Sequence, residues 1–269
     1  MKLFKDIKSF YKEILDKKTL ILNLTKRDFK QRYAGTYLGV FWVYFQPLMY
    51  ISVLYVVFTY GLRSAPRGNV PFISYLISGM IPWMFFSENL NGSSNIIKQY
   101  SFLVKKINFR LSILPIVKLL SSILPHLVFI VIAMGVVLIN GKSIDLYFLQ
   151  VFYYTFAMVS LLFGISLITS SLNIFLPDVA KLISIFTQFG FWLTPILWDI
   201  NKIPEKYHWM IELNPMVYIV NGYRDSLLYG RLFTENIGQT IYFWIFTISM
   251  ILIGSFVFRK LRPHFAEVV

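Results

Sequence analysis

The sequence predicts an all-α integral membrane protein, and three observations carry the prediction. Of its 269 residues, 57% are hydrophobic and 14% charged, against about 45–50% and about 25% in a soluble domain. Long charge-free runs alternate with short segments rich in Lys and Arg. Those runs reach the roughly 20 apolar residues that a helix needs to cross the hydrocarbon. The net charge of +13 falls in the connecting segments, as membrane topology requires; a nucleic-acid binder would gather it on one face.

The elements follow in chain order. The first 18 residues, MKLFKDIKSFYKEILDKK, lack the apolar core of a signal peptide. Leu3, Phe4, Ile7, Phe10, Tyr11, Ile14 and Leu15 share one helical face and lysines take the other. Residues 1–32 are therefore expected to form an amphipathic helix on the membrane surface, or on a partner protein. Spans are expected at about 33–62, 70–90, 119–139, 146–172, 182–198 and 237–258, six in all, within a transmembrane domain of residues 33–262. Residues 263–269 form a short tail. Of the 26 Lys and Arg residues, 18 fall in segments on the side of the two termini and seven on the other, with Lys118 at the start of the third span. Both termini and the loop after the second span are thus expected to be cytoplasmic, in the plasma membrane.

Between the fifth and sixth spans, residues 209–228 are apolar enough to enter the membrane interface but are broken by Asn214, Pro215 and Gly222. Proline disfavours helix in the residue before it. Non-helical backbone at membrane depth is tolerated only inside protein or along a cavity. A re-entrant outer hairpin is expected there. Asn214, Pro215, Tyr223 and Arg224 form either an outer gate or an external helical cap.

Several chemistries are excluded or unsupported. The chain has no cysteine, which removes disulfides and thiolate sites. Gly135, Gly141, Lys142 and Ser143 imitate a nucleotide-binding loop, but five residues separate the glycines where that loop needs four. No catalytic constellation, metal-ligand cluster or bound cofactor is expected in this chain. A proton-coupled secondary transporter would show inverted repeats and midplane acids, and neither is evident.

The segment LVKKINFR, residues 103–110, raises a more specific expectation. The connection from Asn91 to Leu111 far exceeds the 2–8 residues typical between neighbouring helices. It mixes basic residues with aromatic and aliphatic ones, the pattern of a charged rim around an apolar partner site; a plain positive-inside anchor is the alternative.

LVKKINFRLSILP resembles the coupling segment of type-2 ABC exporter permeases, where a separate ATP-hydrolysing subunit docks. Three further stretches resemble the same family: LTKRDFKQRYAGTYLGVFWVYFQPL, LTPILWDINKIPEKY and NPMVYIVNGYRDSLLYG. The run IPEKYHWMIELNPMVYIVNGYRDS resembles teichoic acid export permeases most closely, with O-antigen and capsule polysaccharide permeases as near neighbours. The resemblance implies a coupling lever of Leu103, Lys105, Lys106, Ile107, Phe109 and Arg110, with Arg110 where the family carries proline. It implies two ATP-binding subunits holding ATP and Mg, a second copy of this chain, and a polyprenol-pyrophosphate-linked anionic polymer, wall teichoic acid first, as substrate. The chain itself is then a transport subunit and no enzyme.

Residue chemistry supplies candidate sites for that traffic. Lys26, Arg27, Lys30 and Arg32 cluster at the start of the first span, where arginine forks suit phosphate; a cluster attracting bulk anionic lipid is the alternative. Tyr33, Tyr37, Trp42, Tyr44, Phe45, Phe191, Trp192 and Trp198 offer flat rings on the first and fifth spans, which line the path in related exporters. Interfacial belts and core packing compete for the same rings. Glu88 stands alone among acids inside a span and is expected to pair with Lys118 or Arg110. His126 is expected to be a satisfied packing group.

Overall fold

The computed structural model describes residues 15–32, 34–62, 70–104 and 110–268, and among them every regular element is a helix. Helix α1 spans Lys18–Gln31 and buries Ile21, Leu24 and Asp28, a single stripe at helical spacing. The amphipathic pattern over residues 1–14 lies outside the described residues, as do Tyr33, Lys105, Lys106, Ile107 and Phe109.

Helix α2 spans Phe41–Val56 and runs on through a π-turn, Val57–Gly61. The expected span began at residue 33. Instead residues 34–40 form turns in which Gly35 and Gly39 take φ of 87° and 50°. A right-handed helix cannot continue through left-handed backbone. Helix α3, Phe72–Gln99, continues well past Glu88, where the charge-free run ended. Of its 28 residues, 19 are buried, including Ser74, Ser78, Asn89, Ser93 and Ser94. It is the central element of the bundle.

Helix α4, Leu114–Ile139, follows a 3₁₀ turn at Leu111–Ile113 and so starts before Lys118. Helix α5, Gln150–Phe175, follows a similar turn at Leu146–Leu149. Helix α6, Asp178–Leu193, stops short of the expected residue 198. Thr194 is extended, with ψ at 134°, because it precedes Pro195.

Helix α7 spans Pro215–Arg224 and passes into a π-turn, Asp225–Tyr229. The expected break at Asn214–Pro215 is a helix start, with the Asn214 side chain accepting from the Met216 N–H at 3.0 Å and Pro215 in the first turn. Gly222 does not break the helix; it is smooth there because the Tyr154 ring occupies the space of a Cβ. Helix α8 spans Ile237–Leu261.

Among the described residues, four stretches are long and apolar enough to cross a membrane: Phe41–Gly61, Leu111–Ile139, Leu146–Phe175 and Ile237–Val268. Helix α3 is more polar, with Ser, Asn and Glu88 along its second half, and α6 has 16 residues, under the roughly 20 of a full crossing. The chain presents lines of exposed apolar side chains on α6 and α8, among them Phe186, Phe189, Ile245 and Phe256. Such surfaces need a lipid or protein cover.

The core has two parts. The larger joins α3, α4, α5 and α7 around Leu76, Met80, Met158, Leu161 and Ile219. The smaller gathers Ile21, Ile97, Tyr100, Leu103, Leu114, Ile174, Phe258 and Phe265. It therefore marks one end of the bundle, hereafter the α1 end, where α3, α5 and α8 finish and α4 begins. Helices α5 and α8 touch backbone to backbone: a Cβ added at Gly164 would lie 2.8 Å from the Met250 carbonyl carbon, and one at Gly254 would strike the Gly164 oxygen.

Candidate functional site

A cavity of about 1140 Å³ opens between α2 and α6, with α3 and α4 as its floor. Its composition changes along its length. At the α1 end its wall carries Arg32, Glu88, Lys118 and Ser122; farther along it is lined by Trp42, Tyr50, Trp83, Phe191 and Trp192. The rings approach from three helices: Phe191 lies 6.5 Å from Tyr50 and 6.2 Å from Trp83, centroid to centroid. Gly190 lets the indole of Trp83 in, since a Cβ there would sit 2.9 Å from it.

The charged end is built from helix spacing. Asp28 and Arg32 are one turn apart on and just after α1, and the Arg32 Nη2 donates to Asp28 Oδ2 at 3.1 Å and to Ser122 Oγ at 2.8 Å. It also reaches Ser121 Oγ, which donates to Asp28 Oδ2 at 2.6 Å. Arg32 Nη1 bonds Glu88. Lys118 Nζ stands 3.5 Å from Asp28 Oδ2. Glu88 was expected to pair with Lys118 or Arg110; it pairs with Arg32, because α1 folds back over the start of α4 and delivers the guanidinium first. Two cations and two carboxylates thus meet in one network. Nearby, burial pushes the Tyr100 phenol up to about 12, with the Asp28 charge adding to the effect, so it stays protonated at neutral pH.

The four basic residues expected at the phosphate site separate. Lys26, Arg27 and Lys30 are exposed on α1, with the Arg27 guanidinium 5.2 Å above the Phe102 ring. Arg32 alone turns into the cavity. Among the expected path residues, Trp42, Phe191 and Trp192 line it. Tyr44 packs its ring 5.9 Å from Phe129, and Phe45 stacks on Phe41. Tyr37 is fully exposed on the turns before α2. Trp198 lies apart, its indole N–H donating to the Trp192 carbonyl at 2.8 Å and its own carbonyl accepting from the Tyr75 hydroxyl at 3.0 Å. Of the described coupling residues, Leu103 is buried in the smaller core, and Arg110 precedes the turn that starts α4.

Helix α7 lies behind the cavity wall and meets it at His126. Tyr223 is buried, with its hydroxyl 2.8 Å from His126 Nε2 and 2.6 Å from Thr155 Oγ1. His126 lies in the cavity wall, near the middle of α4, so α7 reaches the bundle's interior and His126 is a hydrogen-bonded wall residue. Arg224 donates to the carbonyls of Pro195 and Ile196 at 2.6 and 2.7 Å and lies 3.6 Å above the Tyr75 ring. Those carbonyls belong to the non-helical stretch after α6, whose Thr194 hydroxyl also accepts from Asn214 Nδ2 at 2.9 Å.

The sequence reading did not single out Ser121, Ser122, Trp83 or Gly92. A signal was present for the serines: they follow Lys118 by three and four residues, so all three share a helix face.

Comparisons with known proteins agree on one grouping. The ABC-2 type transporter family matches residues 19–228. The chain is 29% identical over 252 residues to the O-antigen export system permease protein RfbA of Klebsiella pneumoniae, covering 93% of this chain and 95% of the relative. It is 24% identical over 263 residues to the protein of the same description from Myxococcus xanthus, covering 95% and 97%. It is 25% identical over 248 residues to the polysialic acid transport protein KpsM of Escherichia coli, covering 90% and 93%.

Proposed function

Because the chain belongs to the ABC-2 type transporter family, matched over residues 19–228, we propose that it is the membrane permease of an ATP-driven polysaccharide exporter. One observation carries the reading: a single long cavity joins fixed cations at one end to a wall of aromatic rings. That is the pair of chemistries that an anionic lipid-linked glycan presents. Arg32 and Lys118 meet phosphate, and the rings stack on sugar faces without selecting one sequence.

The sequence reading placed wall teichoic acid first. The relatives named above export O-antigen or transport polysialic acid, so polysaccharide of that kind is now the leading substrate, and a teichoic acid is the narrower variant. In either case the work of this chain is to bind, orient and pass the polymer. ATP and Mg belong to a separate ATPase, two copies of which drive two copies of this permease. Residues 103–110 are the contact through which the ATPase acts.

The topology proposed with this function has six crossings, by α2, α3, α4, α5, α6 and α8. Helix α3 tolerates its serines and asparagines because they are buried in the bundle, away from lipid. Helix α7 re-enters from the outer face, supported by its reach to His126. The α1 end and both termini are cytoplasmic, as the distribution of Lys and Arg requires.

Deletion of the gene in its native host tests the reading. Surface polysaccharide should disappear and its lipid-linked precursor should accumulate inside, both restored by the intact gene. Unchanged surface polysaccharide would overturn the proposal. The retained material identifies the substrate: a sugar-phosphate backbone indicates teichoic acid, and a phosphate-free glycan chain indicates an O-antigen-like or capsule-like polymer.

A further inference from the structure

Two carboxylates serve the cations, Asp28 reaching both Arg32 and Lys118 and Glu88 bonding Arg32, and their surroundings are opposite. Asp28 is completely buried, whereas Glu88 is 47% exposed by side chain and stands on the cavity wall. Removing the buried carboxylate would take from Lys118 its ion-pair partner and leave Arg32 on Glu88 alone. A half-exposed ion pair is weakly held and exchanges readily with a stronger anion. Asp28 is therefore the fixed counter-ion and Glu88 the replaceable one.

The cations are positioned for such an exchange. Arg32 spends Nη2 on Asp28, Ser121 and Ser122, and directs Nη1 at Glu88 on the cavity side. The stem of Lys118 crosses α3 at Gly92, where an added Cβ would collide with its Cε and lie 2.8 Å from Nζ. Gly92 is one turn beyond Glu88 on the same helix face. The ammonium, the guanidinium and the Glu88 carboxylate thus border one patch of the cavity. Arg32 Nε and Asp28 Oδ1 are buried and find no hydrogen-bond partner among the described residues.

We propose that Glu88 is a built-in stand-in for phosphate: it occupies Arg32 beside Lys118 in the empty permease, and a pyrophosphate-bearing ligand displaces it. The inference rests on the phosphate-linked substrate proposed above. It adds a specificity rule. A pyrophosphate diester brings two negative charges and displaces the carboxylate, while a phospholipid headgroup with one charge does not. Glu88 is thus a selectivity residue that keeps bulk anionic lipid out of the site.

The permease–ATPase complex in neutral detergent provides the test, with the cavity tryptophans Trp42, Trp83 and Trp192 reporting binding by fluorescence. The probes are a short-chain polyprenyl-pyrophosphoryl sugar, a pyrophosphate diester with two charges, and short-chain phosphatidylglycerol. Glu88→Gln should tighten pyrophosphate binding roughly five-fold, the scale of one half-exposed ion pair. It should strengthen phosphatidylglycerol binding by more, so that the ratio between the probes narrows. Glu88→Asp, which keeps the charge on a shorter stem, should fall between. Arg32→Gln should weaken the pyrophosphate probe about tenfold or more, as loss of a charge-assisted bond does. If Arg32→Gln weakens binding while both Glu88 variants leave affinity and selectivity unchanged, the stand-in is overturned and the phosphate site stands. If none of the three variants changes binding, the phosphate reading itself is wrong.

Discussion

The fold draws both Arg32 and Arg224 inward, and they are held by different chemistry. Arg32 is gripped by two carboxylates and two serine hydroxyls, with 14% of its side chain still exposed. Arg224 is 3% exposed and clasped by two backbone carbonyls and the face of Tyr75. Carbonyls are part of the chain and cannot be exchanged for a ligand; an exposed carboxylate can. On the exchange proposed above, the α1 end is a place where anions trade, whereas the α7 end is a clamp. The same side chain binds in one region and staples in the other, and burial and partner type decide which.

Three substitutions break or sharpen that contrast. The largest effect is expected at the clamp. Arg224→Ala leaves the Pro195 and Ile196 carbonyls without their donor and should cost about 3–5 kcal/mol, since hydrogen bonds to charged groups are worth roughly 1.5–3 kcal/mol each. Thermal unfolding of the purified permease–ATPase complex, followed by size-exclusion fluorescence, measures it. Arg224→Lys should recover less than half, because an ammonium does not present the planar fork. An unchanged melting temperature in Arg224→Ala would show that α7 needs no clamp.

Next is the fixed counter-ion. Asp28→Asn leaves Arg32 on Glu88 alone and takes from Lys118 its ion-pair partner, and should cost about 2–3 kcal/mol, below the 3–5 kcal/mol of a sealed ion pair because the cations border an open cavity. Adding Lys118→Met should return part of that loss, and the double-mutant cycle reads the coupling directly. Additive losses would mean that the two residues do not share a network.

The smallest effect belongs to the link between the ends. Tyr223→Phe removes the hydroxyl that joins His126 and Thr155, worth about 1–2 kcal/mol for two neutral hydrogen bonds. Pyrophosphate-probe affinity should stay at the wild-type value, because the hydroxyl does not touch the cation site. A changed affinity would show that α7 acts on the α1 end through α4.

Much of the helical layout is legible in the sequence, and the departures share causes. Charge-free runs find the bodies of α2, α4, α5 and α8. They misplace the α4 start, because Lys118 looks like a boundary until Asp28 neutralises it within the fold, and the α3 end, because Ser93 and Ser94 after Leu90 are buried in the bundle. Gly35 and Gly39 cut the front from the first expected span through backbone geometry, which hydropathy does not register. Gly222 reads as a breaker but is a contact for Tyr154, a distinction that needs the neighbouring helix. The candidate site was partly legible: Arg32, Trp42, Phe191 and Trp192 follow from residue chemistry. Lys26, Arg27 and Lys30 share that chemistry but face outward on α1, since only every third or fourth position of a helix points at its neighbour. Asp28, Ser121 and Ser122 become a unit only when α1 docks on α4.

The contact of α5 with α8 at Gly164 and Gly254 has a mechanical consequence. Helices usually slide past each other by changing rotamers in the side-chain layer between them. Where backbone meets backbone, that compliant layer is missing, and the pair has nothing to shear through. Helices α5 and α8 therefore behave as one stiff beam running the length of the bundle. Any widening of the cavity would then fall to its walls, α2 and α6.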